Sequence, residues 1–93
     1  MNDRPRQARL LPWVGSGGKP CYLLTDGGGR LSRMADVIET TQLDMAEDLL
    51  EHAADLLADA RATPEQLRFC LTRMREALTD VHRIAVSRGM RSR

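Results

Sequence analysis

Two residues, Arg61 and Ala62, are all that separate two long stretches that each carry an apolar stripe at helical spacing, and this connection constrains the fold more than any other feature. So short a link makes the two helices antiparallel neighbours. The second stretch opens on Thr63-Pro64-Glu65-Gln66, which supplies a capping hydroxyl, a proline at the first helical position and a glutamine at the third. Leu67, Leu71, Met74, Leu78, Val81 and Ala85 then recur every three or four residues. Ser87-Arg88-Gly89 reads as the stop, with glycine in a left-handed cap. The reading is a helix over 64–88. In the first stretch Leu31, Met34, Ala35, Ile38, Met45, Leu49, Ala53, Leu56 and Ala60 share a face that Leu50 and Leu57 widen. It reads as a helix over 31–60, with Ser32 as its cap, Asp36 in its first turn and Thr40-Thr41 as the place where it would bend.

Folded at this link, position i faces roughly position 124 − i. The charges are segregated along the chain: residues 31–60 hold one arginine against eight carboxylates, a net of −7, and residues 61–93 hold eight arginines against three carboxylates, a net of +5. The expected pairing brings Asp55 and Glu51 near Arg68, Arg73 and Arg75, and Asp36 near Arg88. Each such surface pair contributes about 0.2–1 kcal/mol, enough collectively to favour this register over like-charge alternatives.

Ahead of the helices, Leu10–Val14 is an apolar patch containing Pro12, and Cys21–Thr25 is a short β-prone run, with Gly15-Ser16-Gly17-Gly18 between them. Two such runs around a glycine turn predict a small hairpin over 9–30, laid on the helices, with Pro12 confining its strand to an edge. Residues 1–8 read as a disordered basic tail and 89–93 as a basic C-terminal tail.

Gly27-Gly28-Gly29 sits between the apolar run and the first helix, where a phosphate-binding loop would sit. The chemistry is missing. A phosphate loop needs G-x-x-x-x-G-K-[ST], but the single lysine, Lys19, is followed by Pro20. The dinucleotide fingerprint needs a third glycine where Ser32 stands, and a second β-α unit. The run is read as a turn. The two histidines, His52 and His82, and the two cysteines, Cys21 and Cys70, lack metal-ligand spacing, and a Cys70–His52 pair across the helices has no oxyanion donors in view. Hence no catalytic residue, metal or cofactor is assigned, and the chain is read as a non-enzyme. No apolar run approaches 18 residues, which argues against a membrane span. MNDRPRQAR has no signal-peptide core, so a cytoplasmic location is expected.

With 93 residues the chain makes one small domain, and its three aromatic residues leave Leu, Met, Ala, Ile and Val to build the core. Both stripes are wider than one helix–helix seam. The expected architecture is therefore mainly α: an antiparallel two-helix hairpin with a short N-terminal β-like extension, dimerising into a four-helix bundle. The homodimer or partner interface is assigned to Leu31, Ile38, Met45, Leu49, Leu50, Leu56, Leu57, Leu67, Leu71, Met74, Leu78 and Val81. A hetero-partner helix is the other way to cover the same face. The runner-up function is a DNA-binding regulator whose arginine-rich termini, Arg4, Arg6 and Arg9 with Arg88, Arg91 and Arg93, would touch phosphates. No aromatic stacking surface accompanies them.

The runs PWVGSGGKPCYL, GGRLSRMAD and RIAVSRG, within an Arg/Ala/Leu/Asp-rich bias, resemble short hypothetical proteins of high-GC actinobacteria over most of residues 10–90. The resemblance implies a bacterial cytoplasmic setting and carries over no functional residue. The functional expectation is a small adaptor or regulator that works through protein contacts and self-association.

Overall fold

A computed structural model describes residues 5–91, in the order β1 (Gln7–Val14), a short turn of 3-10 helix (Ser16–Gly18), β2 (Pro20–Thr25), α1 (Arg30–Ala58) and α2 (Pro64–Arg91). The two helices form the expected hairpin. Its turn is held by the Thr63 box: the Gln66 N–H donates to Thr63 Oγ1 at 3.1 Å, and the Thr63 N–H donates to Gln66 Oε1 at 2.8 Å. Leu50 and Met74, and Ala46 and Leu78, line one groove between the helices, and each pair sums to 124.

Several local expectations are corrected. α1 begins at Arg30 and ends at Ala58, and Gly29, not Ser32, is its N-cap. Ser32 lies inside the first turn, where its hydroxyl shares a hydrogen bond with Thr25 Oγ1 at 3.1 Å, and Asp36 falls a turn later than expected. As expected, α1 is a single helix through Thr40 and Thr41, whose hydroxyls donate to the carbonyls four residues earlier, of Asp36 and Val37. α2 continues past residue 88 to Arg91, and Gly89 has no positive φ, so it is a helical residue and not a cap; the expected tail at 89–93 is helix as far as Arg91. Gln7 and Ala8, expected in a disordered tail, belong to β1, and residues 1–4 lie outside the described residues.

The hairpin at the N-terminus is antiparallel, pairing Gln7 with Thr25 and Leu10 with Tyr22, with a register irregularity between Leu10 and Val14 around Pro12. β1 does not alternate: Arg9, Leu10, Leu11 and Pro12 are all buried. The reason lies in its carbonyls. Those of Leu10 and Pro12, two residues apart and so on one edge, accept from Ser87 Oγ of α2 at 2.9 Å and from Gln42 Nε2 of α1 at 3.1 Å. One edge of β1 is thus turned into the helix pair, which satisfies backbone groups that an edge strand otherwise exposes. Both faces of the strand meet protein, and the core forms here, from Leu10, Leu11, Ala35 and Ile84, with Cys70 buried further along the helices.

Arg9 is the polar centre of this end. It is 4% exposed, donates to the Ser32 carbonyl at 3.1 Å and to Asp36 Oδ1 at 2.7 Å, and stands 3.4 Å from Oε2 of the buried Glu39. The ion pairs of α2 run within the helix, Arg73 to Glu76 and Arg83 to Asp80. The expected bridges from Asp55 and Glu51 to Arg68, Arg73 and Arg75 do not form among the described residues, and the Asp36 carboxylate takes Arg9. Among the described residues, the charge segregation of the helices accompanies their pairing without ion pairs from Asp55 or Glu51 to the arginines of α2.

Candidate functional site: the uncovered face of the helix pair

Beyond the hairpin, no other element among the described residues is laid over the two helices. Between them lies a groove of about 430 Å³ lined by Ala46 and Leu50 of α1 and by Leu71, Met74, Ala77, Leu78 and Val81 of α2, with Arg75 at its lip. Leu50, Leu71 and Leu78 are 65%, 68% and 68% exposed, and Leu57, a further two turns along α1, is 83% exposed. These side chains exist because both stripes are broader than a seam. Leu49, Leu56, Met74 and Val81 turn inward and are half-buried, whereas the neighbours that widen the stripe stay in water.

Of the residues assigned to an interface from the sequence, Leu31, Met45, Leu50, Leu57, Leu67, Leu71 and Leu78 are exposed, and Ile38, Leu49, Leu56, Met74 and Val81 are half-buried. The groove brings Leu50, Leu71, Met74, Leu78 and Val81 together. Leu31 and Ile38 belong to the hairpin end of α1 and do not line it. Ala46, Ala77 and Arg75 do line it and were missed, the alanines because small residues in a stripe read as filler. The spacing of Ala46 four before Leu50, and of Ala77 three after Met74, was the signal that could have found them.

The surface is large for a chain of this size. The accessible area is 7357 Å², whereas a folded monomer of this mass exposes about 5,400 Å². The Cα radius of gyration is 17.0 Å, within extents of 64 × 26 × 23 Å, against about 12 Å for a compact domain of this length. A lone helix hairpin is a rod, and a rod cannot hide its side chains from water.

The other candidates are placed as follows. Arg9 is withdrawn as a phosphate contact, since it is buried and held by Asp36, Glu39 and the Ser32 carbonyl. Arg6 and Arg88 are exposed positions, Arg4 and Arg93 lie outside the described residues, and Arg91 ends α2. The glycine run is a turn: Gly27 and Gly29 take φ of 101° and 99°, and the Gly27 and Gly28 N–H groups donate to Thr25 Oγ1 and Asp26 Oδ1. Those amides are spent on the protein's own side chains, and an acidic residue stands where an anion would sit. His52 is exposed and Cys70 buried, and no hydrogen bond joins them among the described residues. Among the described residues no three His, Cys, Asp or Glu side chains cluster to hold a metal ion, and no helix is long and apolar enough to cross a membrane. Comparison with known proteins finds no matching family model, no matching curated protein and no matching solved structure.

Proposed function

We propose that this chain is a non-catalytic helical adaptor or regulator that works through self-association, two copies closing their open faces on one another as a four-helix bundle. The observation that carries the reading is the uncovered groove and its exposed leucines on a chain that exposes some 2,000 Å² more than a compact monomer of its size. A specific interface buries about 1,200–2,000 Å² in total, or about 600–1,000 Å² of each partner, so one such contact removes roughly a third to a half of the excess on each chain. A bundle covers it with the same kind of side chain on both sides, as helix packing requires.

The test uses residues that a monomer would not miss. Leu50→Asp and Leu78→Asp each place a charge at a position that is about two-thirds exposed in the single chain. In a monomer such a change stays within about 0.5 kcal/mol. In the bundle it buries an unpaired carboxylate, so the expected outcome is a halved mass by light scattering and a lower melting temperature. Wild-type mass and stability in both variants would refute the assignment. The nucleic-acid reading is checked in parallel by gel retardation with random duplex at low salt, where no shift is expected.

A further inference from the structure

We infer that the second copy docks lengthwise in the same sense, with both connecting turns at one end, so that α1 of each copy lies against α2 of the other. This rests on the self-association proposed above and specifies its geometry. A two-fold dimer closing these faces has two choices. With the axis along the rod, α1 meets the partner's α2 and the 59–63 turns share an end. With the axis across the rod, α1 meets α1, α2 meets α2, and the turns lie at opposite ends.

The residues beside the groove separate the two. Between residues 43 and 58, α1 carries Asp44, Glu47, Asp48, Glu51 and Asp55 and no lysine or arginine. Glu47, three residues before Leu50, and Glu51, one turn beyond Glu47, are exposed on the flank of α1 beyond Leu50 and give that side an acidic border, although neither lines the groove itself. On the α2 side the lip is Arg75, with Arg68 two turns earlier. None of these four residues forms an ion pair within the chain among the described residues. The crosswise dimer sets acidic border on acidic border, and like charges in apposition are costly. The lengthwise dimer keeps every residue at its own height. Because i faces 124 − i, Arg75 of the partner subunit comes level with residue 49, between Glu47 and Glu51.

Side-chain size points the same way. In the lengthwise dimer Leu78 and Leu71 of the partner subunit come level with Ala46 and Ala53, large side chains over small ones, which is how close-packed layers interdigitate. In the crosswise dimer the large leucines of α2 meet their own copies, and the alanines of α1 meet alanines.

The deciding measurement is the distance between the two turns. Ala60→Cys in a Cys21→Ser, Cys70→Ala background carries one nitroxide per chain, read by double electron–electron resonance. Residue 60 lies just past the end of α1 at Ala58, which is itself about 12 Å along the helix from the groove centre at Leu50, so with the offset across the bundle the crosswise dimer separates the labels by about 30 Å or more. The lengthwise dimer leaves only the width of the bundle, about 10–20 Å, and this is the expected result. A separation beyond about 30 Å overturns the arrangement while the dimer stands; no dipolar coupling with a monomer mass overturns self-association itself. A second test needs no cysteine replacement. Arg75→Glu should weaken the dimer about three- to tenfold, and adding Glu47→Arg and Glu51→Arg to the same chain should restore it. A reversed triple variant no tighter than Arg75→Glu alone contradicts the contact.

Discussion

Arg9 shows how differently one residue reads in the sequence and in the fold. Among Arg4 and Arg6 it looks like part of a solvated basic tail, yet its guanidinium reaches Ser32 and Asp36 and lies against the buried Glu39. The fork shape of arginine lets one side chain serve a carbonyl and two carboxylates at once, which lysine cannot do. Removing it leaves the buried Glu39 without its ion-pair partner. Arg9→Met is therefore expected to cost about 3–5 kcal/mol in urea unfolding, and Arg9→Met with Glu39→Leu to recover most of that loss. A single variant as stable as the parent would show that the cluster is incidental. Nothing in a linear sequence announces this contact, because it joins residues 27 and 30 positions apart through a strand whose docking depends on both helices.

At the scale of elements, the parts legible in advance were those with local causes. The Thr63 box, the tight connection and the apolar stripes all act within a few residues, and the helix pairing and its register follow from them. The errors fell where tertiary contact overrides a local signal. Gly89 looked like a cap, but the helix continues through it; Ser32 looked like a cap, but it is recruited by Thr25 and the Arg9 site. Two substitutions separate these cases. Gly89→Ala meets open space at a helical position, so it should stabilise the protein by up to about 1 kcal/mol. Gly29→Ala also meets open space but imposes a side chain at φ 99°, so it should destabilise by about 1–2 kcal/mol. Thermal melts of the two should shift in opposite directions. Loss of stability with Gly89→Ala would return that glycine to a capping role. Thr63→Ala should cost about 1 kcal/mol by breaking the box at the turn. The position of β1 follows from its apolar run but its burial does not, since four consecutive buried residues occur only where a strand meets protein on both faces.

At the scale of the whole molecule, the chain is a rod with its core at one end. The hairpin plugs the gap between the helices near the N-terminus of α1, and the other half of the helix pair carries leucines that face water. The width of the stripes foretold that surplus. The exact lining did not follow from pattern alone, because which flank of a stripe stays open depends on how the helices roll against each other. The same segregation that leaves α1 acidic and α2 richer in arginine makes a second copy of the chain a fitting cover. Sedimentation equilibrium of the full chain over a range of concentrations tests this most directly: the account predicts a mass converging on twice the 10.4 kDa of the chain, and a folded species that stays at 10.4 kDa up to millimolar concentration would contradict it.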